Sequence, residues 1–541
     1  MYDIIIIGGG ISGLTIAHEL LKSNLKILLI EKDNDIGGMA RSNKNLSKYP
    51  SEHSWRGYAP FYKNTFQIMK EIPFSKNKTI YDNLTIPVDF YLLYDKKYKY
   101  KSSLDLKDKI VLFYFGLKYL LSDKRRSYYY SLDFEPILKK YLSKEGYNYL
   151  VNFITGPGYG MNKNEVSMGH LLHFPIIGFI HKGQHSHEHN QNQNGKRYDH
   201  HSDDKWHVMN GPTNDVWIDP WVKYLKQKGL KILTDTKLIK LNYQDKNISS
   251  IIISNNGISQ EIKAKDYVLA INPFNSVDIF RNSNIKDLYN KFDLLTNKTK
   301  SKQISFRIGI NKDIMYPIEN IAFVMNDSEF NITWYPQEKH WEKKPKIKSL
   351  WSGTIIDFQK KGKLFNKNAE ELDNCKLKEE IISQILRSES FQKMIFDNNG
   401  FYLDKNEIQY FEIWYEWKFI NNKQEQYNKK WVNNVYNEKY RPHQKTDFAN
   451  LFLSGSHTKT SINIWSMEGA VESGKITSNL ILDKYNLKNI KCYTHNDPAF
   501  LNIFKKIDNI LYEINLPNIL NIIIILLIFY ILKYLYKKKN N

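Results

Sequence analysis

The sequence has 541 residues, a formal net charge of +21, 42% hydrophobic residues and only two cysteines, Cys375 and Cys492. That apolar content supports the cores of two or three domains and excludes wholesale disorder, while two distant cysteines exclude a disulfide framework, a zinc ribbon and a CxxC redox pair. The lysines are scattered among Asn and Ile, with no basic–aromatic module, so the charge reads as a solvated basic surface and no nucleic-acid partner is expected.

Taken in chain order, Ile4–Ile7 runs straight into Gly8-Gly9-Gly10-Ile11-Ser12-Gly13, a helical pattern follows from Leu14 to Lys22, and a second apolar run, Ile27–Ile30, ends in Glu31. This is strand, glycine turn, helix, strand, acid: the pattern of a dinucleotide-binding βαβ unit. Gly8 permits the tight turn, Gly10 lets the backbone approach a pyrophosphate, and Gly13 lets the helix pack close to the strand. The phosphates are expected at the helix N-terminus, around Ile11 and Ser12, where unpaired N–H groups and the macrodipole favour an anion. Glu31 is placed to hydrogen-bond the adenosine ribose. No charged segment followed by a cleavable apolar stretch precedes the strand, so no signal peptide is expected. Next comes Gly37-Gly38-Met39-Ala40-Arg41. A second glycine pair beside an arginine suits a loop under a phosphate or flavin, with Gly38 close to the ligand and Arg41 supplying positive charge.

With these residues the N-terminal segment resembles the flavin-containing amine oxidase and phytoene desaturase superfamily of FAD oxidoreductases. Glu52-His53-Ser54-Trp55-Arg56-Gly57-Tyr58 is similar to an EHGFRFF signature of its carotenoid-desaturase-like branch, with Ser54 and Trp55 where Gly and Phe are usual. The resemblance implies that His53 and Arg56 line the reacting side of the flavin. Lys76 to Leu142 is rich in Tyr, Lys and Leu, with helical stretches such as Lys107–Leu121, and carries no catalytic signature; in the superfamily such a region belongs to a substrate domain inserted between pieces of the FAD domain. His181 to His207 is rich in His, Asn and Gln without an apolar face. It reads as an exposed insertion, and its spacing matches no metal-ligand pattern, so no metal site is expected.

The motif Gly211-Pro212-Thr213, with Trp217-Ile218-Asp219-Pro220-Trp221, resembles the family element in which the chain returns to the FAD domain. The resemblance implies that the strand after it touches the adenine at Leu238. Ile248–Ser254 and Glu261–Lys263 read as a hairpin around Asn255-Asn256-Gly257. Asp266–Ala270 reads as a buried strand, and Gln303–Ile310 and Ile332–Tyr335 as strands of the substrate domain. The aromatic run around Trp414 is a candidate to face substrate. Asn450–Ser456 followed by Met467-Glu468-Gly469-Ala470 resembles the family's FLAGD…MEGA element, which closes the flavin site. It implies that Gly455 and Ser456 meet the ribityl chain and that the amides of Met467 and Ala470 lie near flavin O2. There they would stabilise the negative charge of reduced flavin.

Two departures stand out: Ser456 replaces the family's Asp, which weakens that hydrogen bond, and Ser466 replaces the tyrosine of the amine oxidases' aromatic cage. No cysteine lies near the flavin motifs, so non-covalent FAD is expected. Finally, Leu516 to Tyr536 is apolar and, at about 1.5 Å per residue, covers a ~30 Å hydrocarbon core. Tyr530, Tyr534 and Tyr536, then Lys537–Lys539, suit an interface belt.

The expected fold is α/β. A discontinuous Rossmann-type FAD domain (1–75, 206–275, 441–485) carries an inserted mixed α+β substrate domain (76–205, 276–440). A linker (486–515) leads to a C-terminal transmembrane helix (516–536), a single-pass membrane anchor. The expected activity is an FAD-dependent oxidoreductase removing hydride from a lipophilic small molecule, with oxygen or a quinone as electron acceptor. The alternatives are an amine oxidase releasing peroxide and a non-catalytic FAD-binding membrane protein. No residue declares itself an acid or base; His53, Arg56 and Trp414 are the catalytic candidates.

Overall fold

A computed structural model describes the chain except residues 44–47, 55, 85–88, 95–96, 100–103, 182–205, 298, 300, 318–320 and 541. Trp55 and most of the histidine-rich insertion lie outside the described residues.

Five strands form a parallel sheet: β1 (Tyr2–Ile7), β2 (Ile27–Ile30), β3 (Lys231–Leu233), β4 (Ala264–Leu269) and β5 (Leu451–Leu453), in the order β5-β4-β1-β2-β3. Because β1 is covered on both sides, its apolar run is continuous. Ile4 and Ile6 enter one core with Leu14 of α1 (Ile11–Leu20), while Ile5 and Ile7 enter another with Leu238, Leu241 and Tyr267. The sheet is therefore assembled from three distant parts of the chain. Trp217 and Trp221 stack 6.0 Å apart and are wholly buried, so they are core packing beneath this domain. The expected hairpin forms from Asn247–Asn255 and Ile258–Ile262, and Asn256 and Gly257 both carry the positive φ that a two-residue turn demands.

The region expected to be the substrate domain contains a seven-stranded mixed sheet, with Ile304–Ile310, Ser349–Ile355, Ile332–Pro336 and Ile321–Met325 as successive central strands. Its two faces differ, as the period of two requires. Ile308, Trp334 and Trp351 fill a core, whereas Thr333, Tyr335, Ser352 and Thr354 face a cavity. The helix α3 (Met168–Ile180) reaches the cavity with Phe174, and α2 (Leu106–Leu120) packs against α3.

After β5 the chain forms α4 (Met467–Lys484), which packs on α1. The segment expected as a linker, 486–515, is instead docked and partly helical. Tyr493 exchanges two 2.9 Å hydrogen bonds with Asn64, Asp497 pairs with Arg126 at 2.5 Å, and residues Leu501–Glu513 form α5. The last helix, α6, spans Ile519–Asn540. It starts three residues later than the sequence pattern suggests because Pro517 and the capping side chain of Asn518 precede it. Within Ile519–Lys539 an 18-residue stretch has a mean hydropathy of 2.3 and only 11% of it is buried, so the helix is long and apolar enough to cross a membrane.

Candidate active site

A cavity of about 740 Å³ lies where the C-terminal ends of the parallel strands face the substrate sheet. Ile7 at the end of β1 and Gly8 after it, Glu31 after β2, Ala270 after β4 and Gly455 after β5 all line it, which is where a doubly wound sheet binds ligands. Gly8 has φ +108°, and a Cβ there would stand 2.4 Å from the Ala270 carbonyl oxygen. A Cβ on Gly13 would stand 2.0 Å from the Gly8 carbonyl oxygen, so α1 can lie this close to β1 only with glycine at that position. Gly10 opens onto the cavity, and α1 has neither a side-chain cap nor an acid in its first turn. The helix start is thus a seat for an anion. Ser12 borders it with its backbone, since its hydroxyl is engaged by Ser454 at 2.6 Å.

Glu31 sits at the same rim. Its Oε2 accepts from the Gly9 amide at 2.7 Å and its Oε1 from the Asp33 amide at 3.1 Å, while burial pushes its carboxyl upward. Gly38, Leu238, Ser456 and Met467 also line the cavity. Two of the expectations for this end need correction. Arg41 lines the cavity as expected of it, but its charge is shared: it pairs with Asp33 at 2.8 Å, Tyr415 at 2.6 Å and Glu416 at 3.2 Å. Ala470 lines the cavity, but its amide already donates to the Ser466 carbonyl at 3.0 Å. The helix begins at Met467, which makes Ala470 the first residue with an intrahelical partner. The Gly469 amide is taken by the capping Ser466 hydroxyl at 3.1 Å, which leaves Met467 and Glu468 as the opening-turn amides without an intrahelical partner. Glu468 points elsewhere, capping the helix Lys63–Glu71 through the amides of Asn64 and Thr65.

Next to the Gly38–Arg41 loop the cavity also meets His53, Arg56 and Lys430. His53 is enclosed, and burial first, then Lys430, Arg56 and Arg41, hold its imidazole well below the usual range, so it is neutral. Gln426 Nε2 lies 2.9 Å from its Nε2. Trp414 does not line the cavity; it packs edge-on behind His53 at 6.4 Å and fixes that ring. Arg56 is held by the Met39 carbonyl and by Ser54. Lys430 escaped the sequence reading. Its Nζ donates to Gln303 Oε1 at 2.7 Å and to the Gly160 carbonyl at 3.0 Å. Enclosure lowers its ammonium to about 7, with Glu165 opposing. Nothing in the local sequence separates it from its exposed neighbour Lys429. The walls are aromatic. Tyr159 lies 5.6 Å from Trp465 and 5.2 Å from Phe174, which stacks on Trp206 at 5.8 Å, with Tyr62 beside them.

Two family models match at the two ends of the chain that build this cavity. An NAD(P)-binding Rossmann-like domain covers residues 6–72, and a flavin-containing amine oxidoreductase covers residues 425–482. These matches, one at each end of the chain, support a place in the flavin-containing amine oxidase superfamily. Members are FAD-dependent oxidoreductases, and the uncapped helix, glycine seat and Glu31 fit that cofactor. Solved structures share the fold at low identity. An oxidoreductase from Methanosarcina mazei has a TM-score of 0.57 at 13% identity, covering 87% of this chain and 98% of its own. A redesigned putrescine oxidase scores 0.61 at 13% identity, covering 89% and 99%. Cyclohexylamine oxidase from Brevibacterium oxydans scores 0.58 at 12% identity, covering 90% and 99%. A glycerol 3-phosphate dehydrogenase of Caloramator mitchellensis is 54% identical over 39 residues, which is 7% of this chain and spans only 8% of that protein.

In the superfamily frame Ser456 is the telling departure. It lines the cavity, and Arg441 donates to its carbonyl at 3.2 Å. Ser456→Asp is expected to tighten FAD binding about tenfold, because a carboxylate accepts hydroxyl hydrogen bonds more strongly than a serine does. Equilibrium flavin titration of the two proteins measures it.

Proposed function

We propose that this protein is an FAD-dependent dehydrogenase or desaturase of a neutral, lipophilic substrate. The observation that supports this reading is the distribution of charge in the cavity. The carboxylates lining it among the described residues are Glu31, Asp33 and Asp278, all at the dinucleotide end. The aromatic chamber instead meets Arg56, Lys430 and a neutral His53. An ammonium ion entering that chamber finds cations and no carboxylate to offset its desolvation, whereas an apolar chain loses no hydration against the aromatic walls.

When bound, FAD supplies a hydride acceptor that oxygen or a quinone then reoxidises. The protein's share is to exclude water, align the substrate and accept a proton. The aromatic side chains serve the first two. Lys430 serves the third: about half of it is neutral near pH 7, so its Nζ can take the proton that leaves the carbon next to the hydride donor. FAD is held non-covalently in this reading; neither Cys375 nor Cys492 is among the residues lining the cavity. Anaerobic mixing of the flavoprotein with isoprenoid lipids and with primary amines tests the assignment. Flavin bleaching by the lipids alone is expected; bleaching by amines with peroxide release in air selects the amine oxidase reading, which the ring pair Tyr159–Trp465 favours as an alternative cage.

The membrane assignment belongs to the same reading, with α6 as a single-pass anchor. The full chain is expected to resist carbonate extraction from membranes. Leu526→Lys with Ile528→Lys is expected to release it into the soluble fraction, since each lysine at the centre of a spanning helix costs about 2.5–3.5 kcal/mol.

A further inference from the structure

We infer that the protein also lies on the bilayer, through a second contact built from α5 and α2 beside the crossing helix. This rests on the reading of α6 as an anchor. Along α5 and its flanks, Phe500, Ile503, Ile507, Ile510 and Ile514 are all more than 40% exposed. The helical members recur at the i, i+4, i+7 spacing of one helix face. On α2, Leu106, Ile110 and Phe113 repeat that spacing and are each more than half exposed. Each stripe is larger than scattered surface hydrophobics account for.

The position of these stripes, rather than their apolarity alone, selects the occupant. The inner face of α5 is fixed to the body: Asp508 takes Arg125 at 2.9 Å and the Ile519 amide at 2.7 Å. Leu501, Leu121 and Ile519 share one small core. Tyr114 of α2 donates to Asn521, in the first turn of α6, at 2.6 Å. Both helices are thus pinned to the point where α6 leaves the protein, and a chain that crosses the membrane there brings them to its surface. The exposed lysines alongside, Lys107, Lys109 and Lys506, have the sign that anionic headgroups attract. An amphipathic helix with an apolar face and lysines at its edge is the form of an in-plane membrane contact. The occupant is therefore the headgroup and upper acyl layer of an anionic bilayer.

Site-directed spin labels on the full-length flavoprotein in phosphatidylcholine–phosphatidylserine nanodiscs test this, in a background where Cys375 and Cys492 are serine. Labels are placed through Ile507→Cys and Phe113→Cys, with Ile528→Cys on α6 and Ile258→Cys on the remote hairpin as references. Retained flavin absorbance verifies each fold. We expect the labels at 507 and 113 to be shielded from aqueous nickel and reached by oxygen, at a shallower depth than 528. Water-like accessibility at 507 and 113, equal to that at 258, overturns the inference while a lipid-buried 528 leaves the anchor standing. A water-exposed 528 with lipid-buried 507 and 113 keeps the surface contact and removes the anchor. Shielding of 507 and 113 from both reagents, with label–label coupling between copies, overturns it in favour of self-association.

Discussion

Gly10→Val is expected to yield a folded protein that has lost FAD. A Cβ added at Gly10 would meet nothing nearer than the Gly38 Cα at 3.9 Å, so the first side-chain carbon has room within the protein itself. It projects instead into the seat at the start of α1, where the pyrophosphate belongs. The loss should exceed a hundredfold in affinity, about 2.7 kcal/mol. Flavin titration and thermal melting read the two halves of the claim. The apo melting temperature should match that of the apo wild type, while the stabilisation that saturating FAD confers on the wild type disappears. Gly13→Val is the contrasting case. With a Cβ only 2.0 Å from the Gly8 carbonyl oxygen, it must push α1 off the sheet, and it should lower the apo melting temperature as well. Equal damage from both substitutions would contradict the assignment of Gly10 to the ligand and Gly13 to packing.

Lys430→Met is expected to slow flavin reduction by substrate roughly 10²–10⁴-fold, the range that a positioned proton acceptor contributes. In the wild type the rate should rise with pH through about 7, as Nζ loses its proton, and the methionine variant should lack that limb. The groups facing Nζ are Gln303 and the Gly160 carbonyl, with Glu165 and His53 nearby; the neutral imidazole adds no second step in this window. The stability effect has the opposite sign. The folded ammonium titrates near 7 against an ordinary 10.5, so between these values the unfolded chain binds more protons and stability rises with pH. Methionine removes that slope and should raise the melting temperature at neutral pH and below. A slower enzyme that is also less stable would mean that Lys430 holds the fold rather than the proton.

The parts of the site that one short segment builds were legible in the sequence. Gly8, Gly10, Gly13 and Glu31 are fixed by the geometry of a single βαβ unit, so spacing alone conveys their chemistry. The C-terminal motif was legible to the level of its helix but not of its amides, because the role of Ala470 changes if the helix starts one residue earlier or later. Arg41 shows a different limit: its charge was visible, but Glu416 and Tyr415, which hold it, stand 375 and 374 positions away. The aromatic chamber needs Tyr62, Tyr159, Phe174, Trp206 and Trp465 from separate elements, and no periodicity links them. Lys430 looked like one more lysine in a lysine-rich chain until the fold enclosed it. Likewise 486–515 lacked a pattern as a whole, although Leu501–Glu513 taken alone is amphipathic.

That docked segment has a mechanical consequence. With Tyr493 stitched to Asn64, Asp497 to Arg126 and Asp508 to Arg125, no slack separates the flavin domain from the base of α6. With α6 as the proposed anchor, the enzyme would be not a buoy on a rope but a keel fixed to its hull, turning about the bilayer normal only as one body. The isoalloxazine plane should then hold a single tilt to the membrane, and polarised absorption of the flavin in oriented bilayers should show one angle rather than a cone.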